Sequence, residues 1–182
     1  MPNWCDCELA VRGEREAVER FMDLAQNDKS LLDMNRFIPY PEEYAKLDRE
    51  AREWSEWAKQ QTEGLSGAER TEFYQENKRP KDGYNQGGYE WCWENWGTKW
   101  NFCDTTIIDD HELEGVRTVV YRFDTAWSPP LPIVDKMSEL FPDLEFELNA
   151  YECGCAFQVD AFWTDGEKEY ETTKDYHGNR GG

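Results

Sequence analysis

Apolar and polar residues alternate along several stretches of the chain, with the period of two that half-buried strands show. Between residues 5 and 11 every second residue is apolar, and the same alternation returns over residues 144–150 and 155–163. Strands of this kind bury one face and leave the other in water, as in an antiparallel sheet. The alternation therefore predicts three strands at these positions.

Two segments between these strands have the apolar spacing of amphipathic helices. The first carries Ala17, Val18, Phe21, Leu24 and Ala25. The second carries Ile133, Val134, Met137, Leu140 and Phe141. Ser128 followed by Pro129 predicts an N-cap with proline at the first helical position of the second helix.

The predicted elements follow a recognisable order along the chain. Residues 101–108 and 116–125 are predicted to be strands, and the polar residues 109–115 are predicted to connect them. The order is β-α-(insertion)-β-β-α-β followed by an extra strand. This order predicts an α+β fold with a ferredoxin-like antiparallel sheet and helices on one face. From residue 167 onward we expect at most one more short strand, and a flexible tail over about 175–182.

The middle of the chain predicts a helical insertion within one domain spanning residues 1–182. Tyr44, Leu47, Ala51, Trp54 and Ala58 form an apolar stripe on a charged helix. Ser66 and Glu69 have the spacing of a capping box that opens a second, shorter helix. We expect an arm of about residues 42–84, which is either a lid or a solvated decoration.

The charge of the chain narrows the range of partners. It contains 20 Lys and Arg against 39 Asp and Glu, which gives a net charge of −19. A field of that sign repels nucleic-acid phosphates and anionic lipids, so generic nucleic-acid or membrane binding is disfavoured. The sequence also lacks a signal-peptide pattern and a bilayer-spanning apolar run, so we expect a protein of the cytoplasm.

Three aromatic motifs resemble those of a known family. They are Met1-Pro2-Asn3-Trp4-Cys5, the block from Glu94 to Trp100, and the run from Phe123 to Pro130. In this order they resemble the YubB-like family, a ferredoxin-like domain of bacteriophages and conjugative plasmids. The resemblance implies a fold and a mobile-element setting inside a bacterial host cell, with a possible role in counter-defence, rather than a reaction.

The tryptophan-rich motifs are the best candidate for a ligand site. Indole rings beside short polar side chains can form a flat apolar wall that sandwiches a base, while a lysine binds a phosphate. We therefore predict a pocket for a small anionic ligand of nucleotide type, without a cofactor or catalytic group. The predicted ligand-binding residues are Trp96, Thr98, Lys99, Trp100, Asn101, Asp124, Thr125, Trp127 and Ser128.

Structural roles compete with this interpretation. The tryptophans can equally fill a core, and Lys99 can pair with Asp124 or Glu94 to fix the two motifs together. Likewise, Cys5 and Cys7 with Cys153 and Cys155 supply enough thiols for a zinc ion, but burial as apolar cysteine is the favoured interpretation. Residues 109–112 could hold a cation, although solvated charges are the simpler explanation.

Two further functions remain open at the level of sequence. One is an acidic protein-interaction module or DNA mimic that inhibits a host protein, in part through a sheet face predicted to carry Asp6, Glu8, Thr118, Val120, Arg122, Asp124, Glu145 and Glu147. The other is a nucleotide-acting enzyme. The sequence has no nucleophile elbow, phosphate loop or metalloprotease helix, so it favours binding over catalysis.

Overall fold

The structure is a computed structural model that describes residues 3–182. Met1 and Pro2, which open the first aromatic motif, lie outside the described residues. The chain forms two compact units. One comprises the described residues up to Pro39 together with Cys92–Gly182, and the other comprises Tyr40–Trp91.

The larger unit is built on an antiparallel sheet. Its strands are β1 (Trp4–Glu14), β2 (Cys103–Leu113), β3 (Val116–Ala126), β4 (Glu145–Glu152), β5 (Phe157–Thr164) and β6 (Glu167–Asp175). Their order across the sheet is β2-β3-β1-β4-β5-β6, and every neighbouring pair is antiparallel. The first four strands thus have the 2-3-1-4 order of a ferredoxin-like sheet, and the predicted fold class is confirmed.

Two helices cover one face of this sheet. The helix α1 (Arg15–Ala25) inserts Phe21 between Tyr121 of β3 and Phe146 of β4, with ring centroids 6.2 and 5.5 Å apart. The helix α5 (Leu131–Leu140) accepts a 2.6 Å hydrogen bond from the indole of Trp163 at Asp135. Tyr121, Phe146 and Trp163 share one side of the sheet in the strand register, so both helices pack on that side.

The same face contains the two cysteines of β1. Cys5 and Cys7 are fully buried, which confirms the predicted apolar environment. Burial also raises the pKa of the Cys7 thiol, with a smaller contribution from its neighbour Cys5. Cys153 is half-buried and Cys155 is exposed. Among residues 3–182, the structure brings together no group of three or more potential metal ligands.

Three element boundaries differ from the sequence prediction. Strand β2 continues through the acidic residues 109–112, because an edge strand can leave its charges in water, and it turns tightly at Glu114 and Gly115 with positive φ at both residues. Strand β6 is nine residues long rather than short. Helix α5 begins at Leu131 with Pro130 as its N-cap residue, so the prediction that Ser128 caps this helix was wrong.

The smaller unit is helical and contains the predicted insertion of about residues 42–84. It contains α2 (Glu42–Gln61) and α3 (Gly67–Glu76), and α4 (Gly88–Trp96) begins in it and ends in the larger unit. The predicted capping box is confirmed, since Ser66 and Glu69 bond to each other's backbone N–H groups. Trp57 packs against Phe73 with ring centroids 5.4 Å apart, which joins α2 to α3.

Candidate functional site

The hydroxyl groups of the tryptophan motifs bind to backbone carbonyls rather than facing an open cavity. Thr98 is fully buried and donates to the carbonyl of Ala126 at 2.8 Å. Ser128 donates to the carbonyl of Gly97, and Thr125 donates to the carbonyl of Ser128 at 2.8 Å. The first two bonds hold the turn after α4 against the end of β3, and the third is local to residues 125–128, so all three serve a structural purpose.

Two more of the predicted ligand-binding residues are committed to the scaffold. Trp96 is 4% exposed, and its indole donates to the carbonyl of Ile38 at 2.8 Å. Asn101 donates to Asp33 at 2.6 Å and accepts from the backbone N–H of Met34 at 2.9 Å. An indole with its N–H satisfied and an amide bonded on both sides stabilise a fold more readily than they receive a ligand.

The remaining members of the motif form a smaller surface cluster. Lys99 places its Nζ 4.8 Å from the centre of the Trp127 ring, a cation–π contact, and Trp127 is 36% exposed. Trp100 packs edge-to-face against Trp4 at 6.2 Å. Aromatic surface next to a cation is therefore present at this end of the sheet.

Asp124, which completes the set of predicted ligand-binding residues, lies on the side of the sheet opposite α1 and α5. It is opposite Asp6 of β1 in the strand register. Burial, and then the negative charges of Asp6 and Asp104, raise the pKa of the Asp124 carboxyl. Asp124 thus belongs to a different surface, which is rich in carboxylates.

We call this second surface the outer face. The strand register places on it carboxylates from four neighbouring strands: Asp6, Glu8, Asp124, Glu145, Glu147 and Asp160. Val120 and Arg122 of β3 and Thr118 share this side, as the sequence pattern predicted. Four of these carboxylates, Asp6, Glu8, Glu145 and Asp160, already pair with basic side chains, which are Arg12, Arg122, Lys174 and Arg180. The six carboxylates and four cations leave an excess of two negative charges among them, which favours cations over phosphate.

The outer face has two open depressions. One, of about 300 Å³, is lined by Glu145 and Glu147 together with Arg12 and Phe162. Beside it, Phe162 stacks with the half-exposed Tyr170 at 6.0 Å. The other, of about 470 Å³, is lined by Trp4, Asp6, Asp124 and the last residues of the chain.

An arginine from the end of the chain is bound on this face. Arg180 donates to both carboxylate oxygens of Asp6 at 3.0 Å and to Glu8 at 2.7 Å. Its guanidinium also lies 4.1 Å from the centre of the Tyr151 ring. Two carboxylates and an aromatic ring bind a planar guanidinium by charge, by paired hydrogen bonds and by stacking. We call Asp6, Glu8 and Tyr151 the arginine site.

Asp6 accepts hydrogen bonds from a second arginine at this site. Arg122 of β3 donates to its two oxygens at 3.1 and 2.6 Å, in addition to the bonds from Arg180. Burial alone would raise the pKa of Asp6, but the hydrogen bonds from Arg180 and Arg122 outweigh it, and the pKa is lowered. Arg122 therefore holds Asp6 in position independently of Arg180.

The segment that carries Arg180 runs against the sheet, although the sequence predicted a flexible tail over 175–182. We call Tyr176–Gly182 the strap. Gly182 donates its N–H to the carbonyl of Trp4 at 2.7 Å, and the thiol of Cys153 donates to the carbonyl of Gly181 at 3.0 Å. Tyr176 packs on Tyr151 at 5.2 Å. A lone arginine among glycines has no periodicity, so no pattern in the sequence predicts this contact.

The acidic run of β2 is engaged in surface pairs. Asp110 accepts bonds of 2.9 and 2.7 Å from Arg117, and Asp109 lies 3.1 Å from Nδ1 of His111. The side chains of Asp109 and His111 are 55% and 54% exposed and that of Asp110 is 38% exposed, as the solvated-charge interpretation expected, whereas Arg117 is 17% exposed. Separately, none of the helices formed by residues 3–182 has the length and apolar character needed to cross a bilayer.

Comparison with known proteins agrees with the fold. A family model described as the ferredoxin-like domain in Api92-like protein matches residues 95–177, which include the third aromatic motif and all of the second except Glu94. The crystal structure of the protein api92 from Yersinia pseudotuberculosis is similar, with a TM-score of 0.53 and 11% identity over 98% of this chain and 99% of that chain. At this identity the likeness concerns the fold alone. The search of curated proteins gave no match.

Proposed function

We propose that the protein is a non-catalytic interaction module whose outer face binds a basic segment of a partner protein. The observation that carries the proposal is the convergence of carboxylates from β3, β1, β4 and β5 on one side of the sheet. Complementary charge steers such partners together and selects against acidic ones. The proposal corresponds to the acidic protein-interaction module that the sequence left open as an alternative. A defined surface now supports it.

The aromatic residues of the outer face strengthen this proposal. Phe162 and Tyr170 lie beside Glu147, which is opposite Phe162 in the strand register. An ammonium or guanidinium group gains from an aromatic ring as well as from a carboxylate. The surface therefore suits lysine and arginine side chains better than it suits simple counterions.

Charge reversal on the outer face tests the proposal. The probe is a short peptide of alternating arginine and glycine, and its affinity is measured by calorimetry at low and moderate salt. We expect Glu145→Lys with Glu147→Lys to weaken binding by about tenfold or more. Raising the salt should weaken the binding of the wild type as well.

A matched control separates the outer face from net charge. Glu16→Lys with Glu139→Lys alters exposed residues of α1 and α5 and changes the net charge equally. This control should change the affinity by less than about threefold. Equal weakening by both pairs, or no binding of the peptide to the wild type, would refute the proposed function.

The biological setting is an extension of the same proposal. The resemblance to YubB-like proteins suggests a bacteriophage or plasmid accessory protein in the cytoplasm of a bacterial host, with a role in counter-defence. A host DNA-binding protein would be a suitable partner, because its DNA-contacting surface is basic. Co-purification of such a partner, lost on outer-face charge reversal, would support this setting; a partner retained by the reversed variant would contradict it.

A second candidate function concerns the tryptophan cluster. The contact between Lys99 and the half-exposed Trp127, near Trp100, favours a small planar anion at that position. Calorimetry with a panel of nucleotides tests this function. Binding that is lost in Trp127→Ala would support it, and the absence of heat with the wild type would exclude nucleotides as ligands.

A further inference from the structure

The contacts of Arg180 have the chemistry of a binding site that is occupied by its own chain. The guanidinium makes paired hydrogen bonds to Asp6, a third bond to Glu8, and a stacking contact with Tyr151. A lysine ammonium is a compact charge, which cannot form the paired planar bonds and stacks less well. The site therefore distinguishes arginine from lysine.

The arginine site is formed by the sheet and not by the strap. Asp6 and Glu8 are alternate residues of β1, and Tyr151 is opposite Asp6 on β4. Arg122 orients the Asp6 carboxylate through two further hydrogen bonds. A site built on rigid strands keeps its geometry when its occupant leaves.

The strap, in contrast, is held to the sheet by few contacts. It contains three glycines and the exposed His177 and Asn179, and its anchors are Arg180, a few backbone bonds and the ring of Tyr176. Glycine-rich backbone regains much conformational entropy when it is released. Segments with few buried apolar contacts open at low free-energy cost.

From these observations we infer that the strap is an autoinhibitory segment, and that an arginine of a partner protein displaces Arg180 from the arginine site. The inference rests on the proposed function and deepens it, because it specifies the partner's key side chain and the event that exposes the site. Residues 179–182 of the strap line part of the open depression beside Trp4 and Asp124, so release of the strap leaves the sheet side of that depression to the residues that flank the incoming arginine.

Removal of Arg180 tests the inference in the whole 182-residue chain. Arg180→Ala takes away the occupant and leaves the strands unchanged. We expect it to bind the arginine–glycine peptide about tenfold more tightly than the wild type, since no tethered competitor remains. A lysine–glycine peptide of the same length should gain much less.

The matched control is Arg20→Ala, which removes an exposed arginine paired with Asp143 and changes the net charge equally. It should leave both affinities unchanged. Adding Glu8→Gln to Arg180→Ala should reverse the gain for the arginine peptide. Thermal unfolding of each variant checks that the fold is intact.

Hydrogen–deuterium exchange of the wild type gives an independent readout. Saturation with the arginine peptide should accelerate exchange in the strap, because the incoming arginine releases it. Unchanged exchange in the strap under saturation would overturn the inference even if the Arg180 variant proved unstable.

The outcomes separate this inference from the proposed function. Equal affinity of the wild type and Arg180→Ala, with binding that still depends on Glu145 and Glu147, would overturn autoinhibition and leave the outer face as the binding surface. Equal gains for the arginine and lysine peptides would overturn the arginine selectivity. Absence of peptide binding in every variant would refute both proposals.

Discussion

At the scale of single residues, Asp6 is the centre of the outer face. Its side chain is 6% exposed, and it accepts bonds from two guanidinium groups, those of Arg122 and Arg180. A buried carboxylate of this kind is favourable only while its partners stay in place. Asp6 therefore couples the stability of β1 to the position of the strap.

The pH dependence of stability should reveal this coupling. Because the pKa of Asp6 is lowered in the folded protein, its contribution is present above the ordinary value of 3.8 and is lost as the pH falls through the lowered value. At neutral pH we expect Asp6→Asn to lower the free energy of unfolding by about 1–3 kcal/mol. Below pH 3.8 the difference between the variant and the wild type should shrink.

Denaturant unfolding at both pH values measures the effect. The exposed Asp23 of α1 provides the control, and Asp23→Asn should match the wild type throughout. A difference between Asp6→Asn and the wild type that stays constant with pH would show that the carboxylate charge is not what stabilises the site.

Residue types alone could not reveal which polar groups of the tryptophan motifs are free. A threonine beside an indole can orient a ligand or bond to a backbone carbonyl, and the sequence is the same in both cases. The structure shows that Thr98 bonds to Ala126, a residue 28 positions away. Such long-range partners depend on the fold, whereas the aromatic cluster of Lys99 and Trp127 was accessible from the motif itself.

At the scale of elements, hydrophobic period predicted the strands and helices that bury one face. Strands β1, β4 and β5 and helices α1 and α5 all carry this signal and lie where it predicted them to within a few residues. The end of β2 and the whole of β6 carry no such signal, because both strands expose most of their residues. They are fixed by pairing with β3 and β5.

The strap is the element on which the regulatory inference depends, and Gly181 is the glycine that packs closely against the backbone of the sheet. Its φ is +77°, and an added Cβ would lie about 2.5 Å from the carbonyl oxygens of Tyr151 and Trp4. Gly181→Ala should therefore detach the strap and accelerate hydrogen exchange over residues 176–182. It should also tighten binding of the arginine peptide, as Arg180→Ala does.

Gly67 provides the matched control for this variant. An added Cβ at Gly67 meets no atom within 4 Å, and the residue opens helix α3. Gly67→Ala should leave exchange in the strap unchanged. A strap that remains protected in Gly181→Ala would mean that Arg180 alone holds it in place.

At the scale of the whole molecule, net charge and topology act together. The charge of −19 by itself suits any soluble acidic protein. The ferredoxin-like sheet gives it direction, because helices cover one face and the strands display carboxylates on the other. Under the proposed function, a basic partner would be attracted by the whole molecule and bound by one surface.

A titration followed by nuclear magnetic resonance is the decisive test of whether the outer face binds a basic segment. The arginine–glycine peptide is added to the isotopically labelled wild type, and the amide shifts of every assigned residue are followed. If the outer face binds the peptide, we expect shifts at outer-face residues of β1, β4 and β5 and in the strap, while the shifts of α1 and α5 stay unchanged. Shifts confined to the helices, or spread evenly over the surface, would contradict it.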